Sequence, residues 1–298
     1  MVTKATEVER DNTLLTGGCS FVWGDELEGY DRKRPIHWEH TFTHKVAEQL
    51  GLEPHIIAEC GNGNDKIFRD IVQYINNPEK PLPAMVFVSW SAFKRIELFE
   101  MKKDTAEADL KIKRWQNMSQ FSPERFQYLN KSNQQIAELW SNLAYNQETG
   151  AMHMVTYAVA LQMICDGLGI KLMQTVFHNR MGQSIGDMLN PKGANQPHYR
   201  GGHNNYHFFS DWLQTELARL RPENRLGFYD VDYKTGLSNE SDWFDMYWMA
   251  VQGKKAKKET DPFYGCELKE FMHPCENTHT VYSDQIVLLT RQLNWKFS

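Results

Sequence analysis

The sequence predicts an α/β protein, a three-layer α/β/α sandwich with a mostly parallel, flavodoxin-like central sheet and loop insertions. Short apolar runs alternate with amphipathic helical stretches as far as about residue 177, the order that builds βαβ units. The run Met85-Val86-Phe87-Val88-Ser89-Trp90 is almost wholly apolar, as a strand covered on both faces must be. Glycine-rich turns at 16–24 and 60–64 follow the first two runs, where a parallel sheet places its strand-to-helix turns.

The elements follow in order. Residues 13–20 read as a short buried strand ending in a glycine-flanked serine turn. Over 38–50, Trp38, Phe42, Val46 and Leu50 recur every four residues, which predicts a helix stopped by Gly51. Residues 55–59 are the second strand candidate. Ile67, Ile71, Val72 and Ile75 mark one face of the helix after it, ended by Asn76-Asn77-Pro78. The third strand is 85–90, and the charged stretch 103–119 reads as a surface excursion. Helices are predicted over 123–145 and 152–168, and Gly169 leads into the fourth strand at 170–177. A long loop over 179–206 and a short helix over 208–220 come next. Turn chemistry and aromatics fill 221–262, and a last helix covers 280–293. With no repeat and no low-complexity linker, residues 1–298 read as one decorated domain with insertions near 100–122 and 180–262.

Composition narrows the function classes. A content of 41% hydrophobic and 24% charged residues is that of an ordinary globular chain. The net charge of -5 argues against a nucleic-acid binder that works by neutralising phosphates. The basic run at 254–258 has no interleaved aromatics or arginines and reads as a solvated loop. No window has the apolar length of a membrane span, and residues 1–12 are polar rather than signal-like, so no membrane partner is expected. Five scattered cysteines, an odd number, suit reduced thiols and a cytoplasmic location better than a disulfide framework.

Parallel sheets bind ligands at the carboxyl ends of their strands. Ser20, Gly61, Trp90-Ser91 and His178 all fall at such ends, and Glu270-Phe271-Met272-His273-Pro274 precedes the final helix. A serine there presents its hydroxyl at the open sheet edge, and its own N–H is available to a developing oxyanion. Taken alone, Ser20 is more simply a helix cap, and His273 a surface or core histidine. Cys19 is a rival nucleophile, but adjacent strand side chains point to opposite faces, so only one of the pair meets the crevice. The Gly61-Asn62-Gly63-Asn64 turn lacks both a Walker lysine and the Gly-x-Gly-x-x-Gly spacing, so a nucleotide site is a poor reading. Neither the His198, His203, His207 group nor the Cys266, His273, Cys275, His279 group has paired metal-ligand spacing; no metal or other cofactor is expected.

Gly18-Cys19-Ser20-Phe21 resembles the first block of the SGNH/GDSL hydrolases, in particular a divergent Gly-Cys-Ser-Phe branch common among bacteriophage-encoded proteins. Gly61-Asn62-Gly63-Asn64 is similar to that branch's glycine block, and His273-Pro274 to its closing block, in family order across nearly the whole chain. The resemblance implies a serine hydrolase, an esterase or deacetylase acting on a small-molecule or glycan ester. Ser20 would be the nucleophile, His273 the general base and Glu270 the carboxylate that orients it, at the place where the family has aspartate. Gly61 and the Ser20 N–H would hold the oxyanion. The family's third-block asparagine is missing from Val88-Ser89-Trp90-Ser91, leaving Ser91 as the candidate third donor. Asn64, Trp90 and Arg95, on the same edge, are candidates for substrate contacts. The missing asparagine and the insertions also fit an alternative, a structural or interaction protein that keeps the fold with little or no catalysis. Such a protein would act as a homo-oligomer or in a viral assembly, in the host cytoplasm or within a virion.

Overall fold

In the computed structural model the described residues are 10–27, 36–93, 95–101, 112–119, 147–176, 205–224, 226, 246–269 and 273–297. The expected helix at 123–145, His178, nearly all of the 179–206 loop and Glu270 lie outside them.

Four strands form one all-parallel sheet in the order β2-β1-β3-β6, with β1 at Thr13–Gly17, β2 at Glu53–Ile56, β3 at Met85–Trp90 and β6 at Lys171–Val176. Alternation along the strands splits the core in two, because successive side chains leave a strand on opposite faces. Leu15, Val86, Val88, Trp90, Leu172 and Val176 face one layer. It is built from α3 (Asn64–Ile75), α4 (Gln147–Leu168) and α5 (Asn205–Arg219). Leu14, Met85, Phe87 and Met173 face the other, built from α2 (Phe42–Leu50), α6 (Met246–Gly253) and α7 (Glu276–Gln292). Both faces of β1 and β3 are therefore covered, as the apolar run at 85–90 predicts. The α/β fold class read from the sequence is the one observed.

The chain crosses to β2 on one side of β1 and to β3 on the other. That reversal makes the carboxyl ends of β1 and β3 a topological switch point, where parallel sheets open a crevice.

Several elements depart from expectation. The second strand lies at Glu53–Ile56, because the Glu53 N–H donates to Asn12 O (2.8 Å) and the Ile57 N–H to Thr16 O (3.0 Å), which fixes the register on β1. The helix expected over 38–50 is broken at Thr41, between a 3-10 turn at Ile36–His40 and α2. The Thr41 hydroxyl donates to Trp38 O (2.6 Å) and accepts from the His44 N–H (3.5 Å), so it closes the turn and caps the helix. The charged excursion over 103–119 contains a strand, β5 (Ile112–Ser119), paired antiparallel with β4 (Arg95–Met101) just before it. A helix, α6, stands within the aromatic stretch read as turns, and α7 begins at Glu276 because Cys275, after Pro274, is its extended N-cap. No helix among the described residues is long and apolar enough to cross a membrane.

Candidate active site

β1 runs into α1, a single helical turn at Ser20–Trp23. A Cβ on Gly18 would lie 2.3 Å from Val22 Cγ2, so only glycine lets this turn pack onto the end of the strand. The Val22 and Trp23 N–H groups donate to Cys19 O, and those of Gly24 and Asp25 to Ser20 O, which pins the turn at both ends. Cys19 is completely buried and belongs to the core facing α2 and α7, so the rival nucleophile is a packing residue. Ser20 is 6% exposed.

The turn after β2 supplies two buried asparagines. Asn62 Nδ2 donates to Gly18 O (3.0 Å), tying this turn to the serine turn. Asn64, at the start of α3, accepts from the Ser91 N–H (2.6 Å) and donates to Ser91 O (3.0 Å), so one amide satisfies both backbone groups of Ser91. Gly61 sits at φ +87 with open space where a Cβ would go; its conformation, not crowding, calls for glycine.

Ser91, expected as an oxyanion donor, is completely buried, and its hydroxyl accepts from Arg95 Nη1 (2.8 Å). Trp90, expected to touch substrate, points into the core facing α3, α4 and α5. It is completely buried there, and its ring N–H donates to Gln174 Oε1 (3.0 Å). Period-two alternation with Val86 and Val88 carries it inward, so it offers no surface to a ligand. Asn64 likewise spends its amide on Ser91, and it braces the end of β3 rather than facing the crevice.

His273 arrives from the other end of the sequence. The Lys269 N–H donates to His273 O (2.7 Å) and the Cys275 N–H to Glu267 O (2.9 Å), a short ladder that fixes the residue before α7. Its ring lies against that of Phe21, with centroids 5.6 Å apart, and so beside the Ser20 turn. The carboxylates around it come from the same turn. Glu26 Oε2 lies 2.8 Å from Nδ1 and accepts the His273 backbone N–H at 3.3 Å, while Asp25 Oδ2 stands 3.6 Å from Nε2. All three side chains are about 15% exposed (Asp25 15%, Glu26 16%, His273 16%). Among the described residues, neither ring nitrogen is hydrogen-bonded to the Ser20 hydroxyl.

The structure thus brings the turns holding Ser20, Gly61 and Ser91 to one sheet edge and His273 to the Ser20 turn. Sequence reasoning missed Asp25, Glu26 and Asn62. Their signals were local: two acids straight after the left-handed Gly24 that ends α1, and a second amide in the glycine turn.

No protein-family model matches the sequence, and no curated protein matches it. Solved structures that resemble it include a lipolytic protein of the G-D-S-L family from Desulfitobacterium hafniense DCB-2, at 8% identity over 94% of this chain and 99% of that one, with a TM-score of 0.41. A psychrotrophic esterase from Pseudoalteromonas sp. matches at 11% identity, 96% and 100% coverage and a TM-score of 0.42. A family two carbohydrate esterase from Clostridium thermocellum matches at 11% identity, 98% and 66% coverage and a TM-score of 0.40. Likenesses at this level assign neither chemistry nor residues.

Proposed function

We propose that this chain is an SGNH-type serine hydrolase that cleaves an ester, with Ser20 as nucleophile and His273 as general base. The observation that carries the reading is the placement of the His273 ring on Phe21, beside the serine at the switch-point end of β1. An imidazole and a hydroxyl delivered to one sheet edge from opposite ends of the chain are the parts that acyl transfer needs.

In the first step the Ser20 Oγ–acyl carbon bond forms as its proton passes to His273 Nε2. The C–O bond to the alcohol then breaks, and the alcohol leaves with that proton. Water repeats the sequence on the acyl-enzyme and releases the acid. The Ser20 and Gly61 N–H groups, which have no partner among the described residues, are the oxyanion donors of this scheme. The proposed substrate is a glycan O-acyl ester. Its support is Trp23, at the end of the serine turn, packed edge-on against Trp38 with centroids 5.1 Å apart; both rings are half-buried, which leaves part of each for contact with a sugar.

Wild-type protein should release acetate from p-nitrophenyl acetate and from acetylated xylo-oligosaccharides, with better kcat/KM on the glycan. Ser20→Ala and His273→Ala should each lose on the order of a thousandfold or more. Undiminished hydrolysis by Ser20→Ala, or no hydrolysis of either ester by folded wild type, overturns the reading.

A further inference from the structure

We infer that Glu26, six residues beyond Ser20 on the same turn, is the carboxylate that positions His273. The inference rests on the serine-hydrolase reading and deepens it. It gives the orienting role to the nucleophile's own loop instead of to the segment just before the histidine, where Glu270 lies.

Two independent observations support it. The first is the contact. One oxygen, Glu26 Oε2, accepts from both the backbone N–H and Nδ1 of His273, at 3.3 and 2.8 Å, so it fixes the residue and the ring together. An ionised carboxylate can only accept, so Nδ1 carries the proton in this contact, and in the neutral ring Nε2 keeps its lone pair. That is the tautomer a general base needs toward a serine hydroxyl. Asp25 Oδ2 stands 3.6 Å from Nε2, beyond hydrogen-bond range, so it does not hold a proton on that nitrogen. The Asp25 N–H donates to Ser20 O (3.1 Å), so the acid nearest Nε2 belongs to a residue bonded to the serine backbone.

The second observation is backbone conformation. Glu26 sits at φ +67, one of two non-glycine residues at positive φ among those described. A side chain with a Cβ is strained there, and such strain persists where the surroundings over-determine it. Here the turn closes through the Leu27 N–H to Gly24 O (3.2 Å), and the glutamate is fastened to His273 from across the fold. Glycine would take this conformation freely. What glycine lacks is the carboxylate.

The test compares Glu26→Gln, Glu26→Gly, Glu26→Asp and Glu270→Gln with wild type. Thermal midpoints, ester hydrolysis and the downfield proton resonance of the His273 Nδ1–H are read for each. Glu26→Gln should lose on the order of a hundredfold to ten-thousandfold in kcat with KM changed little, the loss seen when a triad carboxylate is neutralised. Glu26→Gly should melt at or above the wild-type temperature, because backbone strain is relieved, yet lose activity to the same degree and lose the downfield resonance. Glu26→Asp should recover part of both, and Glu270→Gln should keep them. An active wild type whose rate and resonance survive Glu26→Gln and Glu26→Gly overturns the role of Glu26 and leaves Ser20 and His273 in place. An active wild type disabled instead by Glu270→Gln does the same. A folded wild type that shows the resonance but hydrolyses no ester overturns the hydrolase reading and the catalytic role of Glu26 with it, while the contact itself stands.

Discussion

Asn64, 1% exposed, satisfies both backbone groups of Ser91 with one amide at the head of α3, so the end of β3 depends on a single side chain. Asn64→Ala would leave the Ser91 N–H buried without its partner, and chemical denaturation should show a loss of about 1–3 kcal/mol. A loss below a few tenths would mean that the clamp is replaceable by water. Trp90→Ala removes the largest completely buried side chain among the described residues and leaves Gln174 Oε1 without its donor; the expected cost is about 3–5 kcal/mol, with no KM effect beyond that of lost stability. Ser20 and Gly61 could be read from the sequence because their signals are local: a serine among glycines, and a glycine where a turn demands positive φ. Glu26 could not, since its contact closes across 247 positions of chain and the sequence does not say which acid will meet the ring. Trp90 misled for another reason. A tryptophan at a strand end suits a binding edge, and only its register with Val86 and Val88 settles that it turns inward.

The segments that hold the site are short, and their anchors lie elsewhere in the chain. α7 is tied to the α2 region by Glu276 Oε1, which receives His40 Nδ1 (3.0 Å) and Lys45 Nζ (3.1 Å). The hydrogen bond from His40, helped by Lys45, holds the Glu276 carboxyl below its ordinary range against the opposing effect of burial. A folded-state value below the unfolded one gives stability that is fully present above the ordinary carboxylate range. That stability is lost as pH falls through the lowered value. The side chain is 41% exposed, so solvent and salt screen the contribution to about 1 kcal/mol or less. Melting curves of wild type and Glu276→Gln should therefore differ modestly at neutral pH and converge in acid; a gap that widens in acid contradicts this account. Helices with a clean four-residue stripe, such as α3 with Ile67, Ile71 and Ile75, were legible at this scale. The β4–β5 pair was not: Arg95-Ile96-Glu97-Leu98 alternates for only four residues, β5 lies in a charged stretch without period-two alternation, and pairing between them decides the structure.

For the molecule as a whole, sheet order explains why the candidate site residues gather at one edge. Reversal of winding at β1 leaves the ends of β1 and β3 side by side, and these are the strands followed by Ser20 and Ser91. A parallel sheet covered on both faces can be anticipated from the βαβ rhythm, whereas the strand order required the structure. The same packing disposes the thiols. Cys19, Cys165, Cys266 and Cys275 are buried, and burial pushes the Cys165 thiol up to about 12 and the Cys266 thiol up to about 11, far from reactive thiolate at neutral pH. Half-buried Cys60 is the accessible one. Native alkylation at neutral pH should modify Cys60 first and the other four only on unfolding. Rapid native labelling of Cys165 would mean that the core facing α3, α4 and α5 opens far more readily than this packing allows.

The central claim is that Ser20 is a nucleophile. Folded wild-type protein treated with a fluorophosphonate and mapped by peptide mass spectrometry should carry one adduct on Ser20, none on Cys19, and none at all in Ser20→Ala or His273→Ala. An adduct on another residue, or an unmodified Ser20 in protein whose thermal melt confirms the fold, would contradict it.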